Sequence, residues 1–357
     1  MKYLFIVQGE GRGHLTQAMT LERLLTSRGH EVVRIMVGKS PQRTLPEFFL
    51  KGVSAPVVYF ESMNFMPSAS NRKPDMLKTV VFNSLELHKF FPSMYLIRDE
   101  IRNSGAEIVV NFYELMAGMA YFFYEINVPM VCIGHQYLFM HKDFGLPRDK
   151  YPASYALDLF SKLTSAGAVK HLALSFRNMP IDFEHKIVVV PPLLRPEVLA
   201  LEPSSGNYIH GYMLNSGFSD DVMAWHRDHP DVELRFFWDN WEAGKVKKID
   251  ETLSFHLIDD KEFLRQMSGC MAYASTAGFE SVCEAMYLGK PILMVPSHIE
   301  QEINAFDAAR CGAGISCDSF DLSRLVEFSK EYVPDERFVK WVRSAADAFI
   351  RELENVN

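Results

Sequence analysis

Cysteine is scarce in this chain. The 357 residues include five cysteines, an odd number, and no two of them form a C-x-x-C pair. This pattern argues against a small scaffold built on disulfides and against a zinc framework of paired cysteines. It is typical of a protein that stays in a reducing compartment.

Long apolar runs are also missing. A membrane-spanning helix needs about 20 consecutive apolar residues, and no run in the sequence approaches that length. The first run, Tyr3 to Val7, ends at Gln8, which is too early for the apolar centre of a signal peptide. We therefore expect a cytoplasmic protein, and the sequence leaves open a peripheral contact with the inner face of the membrane.

Positive charge is not in excess. The chain has 37 Lys and Arg against 45 Asp and Glu, for a net charge of −8, which argues against a nucleic-acid partner. No D-x-D sequence occurs, and neighbouring aspartates such as Asp220-Asp221 and Asp259-Asp260 would point apart in a strand. We expect these pairs to be helix caps or surface charges, so no metal site is predicted.

What the sequence does contain is a regular alternation of apolar strands with helices, which predicts an α/β protein with parallel sheets. The length fits two domains of roughly 150–200 residues. We predict an N-terminal domain at 1–192, a linker at 193–207, a C-terminal domain at 208–334 and a last helix within 335–357. The predicted strands include Leu4–Val7, Val32–Val37, Ile108–Asn111, Val128–Ile133, Ala168–Ser175, Ile187–Val190, Tyr208–Tyr212, Leu234–Trp238, Phe255–Ile258, Met271–Ala274 and Ile292–Val295.

The most informative segment follows one of these strands. Residues 275–278 are a turn of small residues before a helix, and Thr276, Ala277 and Gly278 would offer backbone N–H groups where a pyrophosphate is favoured. Gly278 would allow close approach to the backbone. Glu284, one and a half turns into the helix, could accept hydrogen bonds from both hydroxyls of a ribose.

This segment resembles the donor-binding signature of inverting GT-B glycosyltransferases, including the UDP-glycosyltransferases of plants and animals. The first half of that signature reads His-x-Gly-Trp-x-Ser-x-x-Glu. Gly278, Ser281 and Glu284 match it, while Thr276 stands at the His and Phe279 at the Trp. The resemblance implies two Rossmann-like domains that face each other across a cleft, and a last helix that crosses back to the first domain.

The second half of the signature reads Pro-x-x-x-Asp-Gln-x-x-Asn-Ala. Pro296, Gln301, Asn304 and Ala305 match it, and Glu300 replaces the Asp. Because Glu300 and Gln301 follow a strand end, we expect them to hold hydroxyls of the donor sugar. The change from Asp to Glu leaves the identity of that sugar open.

Two further stretches are similar to the N-acetylglucosaminyltransferase family that forms lipid II. Residues 257–260 resemble its Phe-Ile-Asp-Asp, which implies that the backbone of Ile258 reads the uracil edge. Residues 9–14 resemble its Gly-Gly-x-Gly-Gly-His, with Glu10 and Arg12 as departures, and this implies donor contacts at Gly11 and Gly13. The resemblance also implies UDP as the donor nucleotide, with no metal and no cofactor.

The predicted catalytic and acceptor residues lie in the first half. We expect His14, at the end of the glycine loop, to be the general base and to titrate near neutral pH. The alternative is that His14 simply caps or packs at the start of its helix. His135 and Gln136 follow a strand end, which favours acceptor contact over a core role. Glu114 follows the strand that ends near Asn111, and its role could be limited to beginning the next helix.

Aromatic and Met clusters also mark the first half. They fall at 58–60, 65–66, 90–91, 121–124 and 137–140. Most are expected in the core, and a minority could form an acceptor groove or a rim that touches a membrane. The acceptor is therefore left open, with a lipid-linked or apolar compound among the candidates.

Together with these features, the resemblance implies a metal-independent transfer of a hexosyl group from a UDP-sugar to an acceptor hydroxyl. Inversion at the sugar rests on the resemblance alone. Two alternatives stay open. A UDP-sugar 2-epimerase would use a similar donor site with acid and base groups near C2 of the sugar. A non-catalytic nucleotide-sugar-binding protein would keep the site without the chemistry.

Overall fold

The computed structural model describes residues 1–41, 44–62, 87–147, 151–213, 216–240 and 243–356. The described chain divides into two compact units. Unit 1 contains the described residues up to Arg195 and those from Arg343 onward, and unit 2 contains those from Pro196 to Val342. The sequence had predicted a linker at 193–207 and a separate last segment at 335–357.

Unit 1 is built around one sheet. In its described residues seven parallel strands are ordered β3-β2-β1-β4-β5-β6-β7. The strands are β1 Lys2–Gln8, β2 Glu31–Lys39, β3 Val57–Glu61, β4 Ile108–Phe112, β5 Met130–Gly134, β6 Lys170–Leu174 and β7 Ile187–Val190. The central strands are buried on both faces, as their continuous runs of Val, Ile and Leu predict.

The chain segments between the strands form helices that pack on this sheet. They are α1 Arg12–Ser27, α2 Glu47–Gly52, α3 Phe91–Ser104, α4 Leu115–Phe123 and α5 Tyr151–Thr164, with 3₁₀ turns at Leu87–Phe90 and His135–Met140. The order of the strands reverses between β1 and β4. This is the switch point of the sheet, where ligands of open α/β folds bind beyond the carboxyl ends of the strands.

Unit 2 has a second sheet of the same kind. Its described strands are ordered β10-β11-β9-β8-β12-β13-β14, and the switch point lies between β8 and β12. The strands are β8 Tyr208–Tyr212, β9 Glu233–Trp238, β10 Val246–Lys248, β11 Leu253–Leu257, β12 Ala272–Ser275, β13 Ile292–Met294 and β14 Gly314–Ser316. One face packs on a core that includes Phe236, Phe255 and Phe320.

The helices of unit 2 follow its strands in the same alternating way. They are α6 Pro196–Leu199, α7 Ser219–Asp228, α8 Asp260–Gly269, α9 Phe279–Tyr287, α10 Ile299–Arg310, α11 Leu322–Ser329 and α12 Glu336–Arg343, with a 3₁₀ turn at Ser216–Phe218. Asp259 caps α8 by accepting the Glu262 N–H at 2.9 Å. Asp220 and Asp221 lie in the first turn of α7, so the aspartate pairs stand at helix starts, as expected.

The prediction of one helix over residues 335–353 was wrong. Two helices are present, α12 and then α13 at Ala345–Glu354, and Ser344 separates them. The break falls next to the point where the chain leaves unit 2 at Val342 and joins unit 1 at Arg343. Phe338 and Val342 are buried on the first helix, and Phe349 and Leu353 on the second.

Helix α13 contacts parts of unit 1 that lie far from it in sequence. Lys170 Nζ donates to the carbonyl oxygens of Glu352 and Asn355 at 2.9 Å each. Arg28 pairs with Asp347 at 2.9 Å near the end of α1. These bonds join the last residues of unit 1 to the amino ends of its strands.

The described strands differ from the predicted ones in two ways. The sequence missed β3, β10 and β14, and β10 pairs with β11 in antiparallel fashion, although only parallel pairing was predicted. Lys247, Lys248 and the exposed Val246 explain the miss, since charged residues on an edge strand hide its apolar pattern. Among the described helices, none combines the length and the apolar character needed to cross a membrane.

Candidate functional site

The predicted pyrophosphate loop lies at the switch point of the unit 2 sheet. It follows β12, and Gly278 is the N-cap residue of α9 in extended conformation, with no side-chain cap. Thr276 and Ala277 are fully buried. The N-cap residue of α9 thus has no side chain to cap the helix, which starts at the edge where α/β sheets bind anions.

The loop has an unusual backbone. Ala277 has φ of 61°, in the left-handed region that favours glycine. Two side chains hold it there. Ser275 Oγ accepts the Ala277 N–H at 3.2 Å, and Asn304 Nδ2 donates to the Ala277 carbonyl at 3.3 Å.

The remaining predicted residues of unit 2 sit around this loop. Glu284 is buried on α9, with 2% of its surface exposed. Ser281 Oγ donates to the Gly278 carbonyl at 3.2 Å, so a contact with phosphate would require the hydroxyl to turn. Ile258 follows β11 at the same carboxyl edge of the sheet.

Glu300 and Gln301 lie in the first turn of α10. Gln301 Oε1 accepts two hydrogen bonds from Ser297, at 2.9 Å from the amide and 2.8 Å from the hydroxyl. This fixes the amide plane of Gln301 and directs the oxygen toward the backbone. A ligand contact through this side chain would therefore involve Nε2. Helices α9 and α10 pack together, which brings the two halves of the sequence motif to one edge.

In unit 1 the glycine loop also lies at a switch point. Gly11 is the N-cap residue of α1, with no side-chain cap, and Gly13 and His14 lie in the first turn. The Gly9 N–H donates to the Gly38 carbonyl at 2.7 Å, and a Cβ on Gly9 would overlap that oxygen. Glycine at position 9 therefore allows β1 and β2 to stay close beyond their paired residues.

His14 differs from its expected state. Its ring is buried and stacks on Tyr113, with ring centroids 5.7 Å apart. Burial lowers the pKa of His14 to about 4, while a hydrogen bond with Gln17 acts in the opposite direction. The expectation that His14 titrates near neutral pH was therefore wrong, because desolvation disfavours the charged imidazolium.

Glu114 is a second titratable group at this edge, and the sequence predicted for it only the start of a helix. Glu114 caps α4 through the Met116 N–H at 3.0 Å and accepts the Ser62 hydroxyl at 2.5 Å. Its other oxygen, Oε2, is buried without a hydrogen-bond partner among the described residues. Burial raises the pKa of Glu114 to about 7, and the nearby Glu10 carboxylate acts in the same direction. The signal in the sequence was a carboxylate directly after a buried strand.

His135 and Gln136 follow β5, the neighbour of β4 in the sheet. Both are at least 95% buried. His135 Nδ1 donates to the Leu174 carbonyl at 2.7 Å, so in the neutral ring Nε2 is the acceptor nitrogen. The ring lies between Phe139 and Phe176, at centroid distances of 5.1 and 5.5 Å.

A cavity of about 460 Å³ in unit 2 lies at the opposite edge of the sheet. Pro230 before β9 and Leu253 at the start of β11 line it, together with His226 and Asp250. It is therefore separate from the loop at the carboxyl ends. In the described ranges no group of three or more His, Cys, Asp or Glu side chains could hold a metal ion.

The fold agrees with comparisons to known proteins. Residues 1–333 match the profile of glycosyl transferase family 1. No protein of curated function matches the chain.

Solved structures with the same fold cover nearly the whole chain. The glycotransferase of kitacinnamycin is 16% identical, with a TM-score of 0.66 and coverage of 98% of this chain and 99% of that one. UGT89C1 of Arabidopsis thaliana, complexed with quercetin, is 13% identical, with a TM-score of 0.64 and 98% of each chain covered. The UDP-GlcNAc 2-epimerase of Neisseria meningitidis, bound to UDP-GlcNAc, is 13% identical, with a TM-score of 0.58 and 99% of each chain covered. The chain has the GT-B fold, belongs to glycosyl transferase family 1 and is a glycosyltransferase that uses a nucleotide sugar.

Proposed function

We propose that this glycosyltransferase moves a hexosyl group from a UDP-sugar to an acceptor hydroxyl, with inversion and without a metal ion. The observation that carries the proposal is the start of α9 at the switch point of unit 2, where the N-cap residue is a glycine, followed by the buried Glu284. An anion is favoured at such a helix start, and a carboxylate further along can accept hydrogen bonds from sugar hydroxyls.

The donor would be held at four parts, the diphosphate, the ribose, the hexose and the uracil. The backbone N–H groups of Thr276 and Gly278 and the Ser281 hydroxyl would bind the diphosphate, and Glu284 the ribose. Ala277 was predicted to contribute its N–H as well, but that N–H already donates to Ser275 Oγ. Glu300 and Gln301 would bind the hexose, and the Ile258 backbone the uracil. Because Glu300 replaces the Asp of the family motif, the identity of the hexose is the least defined feature of the donor. Contacts from Gly11 and Gly13 of unit 1 stay a prediction.

The chemical step places new charge on the leaving diphosphate. Hydrogen-bond donors that are fixed before the reaction stabilise this charge more than they stabilise the bound donor, and this lowers the barrier. The dipole of a helix such as α9 contributes typically ~0.3–1 kcal/mol at exposed positions and more when the site is partly buried. Several donors would therefore act together where a divalent ion acts in other transferases.

His14 is the proposed general base. At pH 7 its imidazole is neutral, because burial lowers its pKa to about 4. A neutral imidazole can accept the proton of an attacking hydroxyl, although a pKa this low makes it a weak base. Glu114 lies at the same switch point with a pKa of about 7 and is the alternative base.

His135 and Gln136 are the proposed acceptor contacts. Because Nδ1 of His135 donates to the Leu174 carbonyl, Nε2 is the atom that would accept a hydrogen bond from an acceptor hydroxyl. The aromatic residues around the ring, Phe139 and Phe176, favour an acceptor with an apolar part.

Exposed aromatic side chains support the predicted contact with a membrane surface. The aromatic clusters divide, since Tyr137 and Phe60 are buried, whereas Phe122 on α4 and Tyr155 on α5 are each 71% exposed. The cluster at 65–66 lies outside the described residues. Co-sedimentation with phospholipid vesicles tests this contact, and replacement of Phe122 and Tyr155 by Ser should abolish it. Equal sedimentation of both proteins would contradict it.

A panel of nucleotide sugars tests the proposed reaction. The protein is incubated with UDP-, TDP- and GDP-hexoses, with and without a mixture of hydroxylated acceptors, in the presence of EDTA. We expect UDP release from one UDP-hexose that increases with acceptor, and a product whose anomeric configuration is opposite to that of the donor by NMR. An epimerised donor without acceptor, retention of configuration, or loss of activity in EDTA would each overturn the corresponding part.

A further inference from the structure

The Ala277 peptide is the most strained part of the proposed donor loop. In the described chain only three non-glycine residues have positive φ, and Ala277 is the one that lies in this loop. A left-handed conformation is unfavourable for an L-residue, so it persists only where the surroundings impose it.

Of the two side chains that hold Ala277, Asn304 is the one that comes from a later helix. This residue lies on α10, is fully buried, and donates from Nδ2 to the Ala277 carbonyl at 3.3 Å. Its Oδ1 and the hydroxyl of the fully buried Thr276 have no hydrogen-bond partner in the described part of the chain. Buried polar atoms that protein groups leave unpaired are expected to bind something else.

The geometry of a peptide unit connects this bond to the donor. In a trans peptide the carbonyl of one residue and the N–H of the next point in opposite directions within one plane. A hydrogen bond that fixes the Ala277 carbonyl therefore also fixes the direction of the Gly278 N–H. Gly278 is the N-cap residue of α9, where the proposed diphosphate binds.

We propose that Asn304 is a positioning residue that holds the Ala277–Gly278 peptide so that its N–H points at the diphosphate of the nucleotide donor. The inference rests on the proposed function and assigns to Asn304 a role that depends on phosphate. A residue that only filled the core would affect every ligand of the pocket alike.

The test compares ligands with and without phosphate. Affinities for uridine and UDP are measured by calorimetry, or by ligand-detected NMR for the weaker ligand, in the wild type and in Asn304→Ala. We expect Asn304→Ala to weaken UDP about tenfold, which corresponds to ~1.4 kcal/mol, and to leave uridine within about twofold. Equal losses for both ligands, or no loss, would overturn the inference.

A second variant separates positioning from misfolding. Glycine adopts positive φ without strain, so in an Ala277→Gly background the loop needs less support. We expect Asn304→Ala to cost clearly less UDP affinity in that background than in the wild type. An unchanged cost would contradict the role of the strained peptide. If the wild type binds no UDP, the donor assignment itself is wrong; if it binds UDP and Asn304→Ala binds it equally well, only the inference fails.

Discussion

The carboxyl group of Glu114 fills the space that a side chain at Gly38 would need. A Cβ on Gly38 would overlap Glu114 Oε2. The other oxygen is held by the Ser62 hydroxyl and the Met116 N–H. Three strand ends of unit 1 thus converge on one buried carboxyl group, and even alanine at position 38 would displace it.

Glu114→Gln should remove a pH dependence from stability. Because burial raises the pKa of Glu114 from 4.5 to about 7, the folded chain keeps a proton that the unfolded chain releases in this range. The stability from this group is fully present below about pH 4.5 and is lost as the pH rises to about 7. The variant should therefore gain more stability at pH 8 than at pH 5 in urea unfolding.

The matched control for Glu114 is the exposed Glu202. Glu202→Gln should change stability by a similar small amount at both values of pH. If Glu114→Gln also showed no difference between pH 5 and pH 8, the carboxyl group would not be buried as described.

Glu284→Ala should weaken UDP binding by about 1.5–3 kcal/mol, the range for hydrogen bonds to charged groups. The reason is its proposed acceptance of both ribose hydroxyls. Calorimetry with UDP and with 2′-deoxy-UDP measures this. The wild type should prefer UDP over the deoxy compound, and the variant should lose that preference. A variant that still distinguished the two would rule out the ribose contact.

Gln301→Ala should lower affinity for the UDP-sugar and leave UDP nearly unchanged, because the side chain is proposed to contact only the hexose. This variant also removes the acceptor for both hydrogen bonds of Ser297, so a loss of melting temperature is expected as well. Gln301→Glu keeps an acceptor for Ser297 and removes the Nε2 donor. If Gln301→Glu bound the UDP-sugar as the wild type does, a donated hydrogen bond to the hexose would be excluded.

His14→Ala should reduce turnover by ~10²–10⁴-fold, the usual contribution of a general base, with donor affinity largely preserved. Since its pKa is lowered to about 4, His14 is neutral throughout the range from pH 5 to pH 8. Its titration should therefore add no inflection to the pH profile of kcat there. An inflection near pH 7 that Glu114→Gln abolished, with most activity kept in His14→Ala, would move the role of base to Glu114.

The parts of the fold that follow from local pattern were predictable. The strands Ile187–Val190 and Tyr208–Tyr212 have the predicted bounds, because buried parallel strands are short runs of apolar residues. The position of the donor motif after β12 followed from residue types and spacing alone.

Other features depend on contacts between distant residues. The hydrogen bond from Asn304 to Ala277 spans 27 positions. The sequence showed that Asn304 matches the family motif, but it did not show which residue Asn304 contacts. The pKa values of His14 and Glu114 depend on burial by neighbouring strands and helices, which residue type does not reveal. The predicted last helix is divided at Ser344, close to the boundary between the two units.

The return of the chain to unit 1 at Arg343 bears on the order in which the protein forms during synthesis. The strands of unit 1 leave the ribosome first, but α13, which accepts hydrogen bonds from Tyr3 and Lys170, is translated after unit 2. Until α13 has been translated, the apolar surface of unit 1 that packs against this helix stays uncovered. An arrest during translation between residues 200 and 340 would leave this surface open to chaperones and to aggregation.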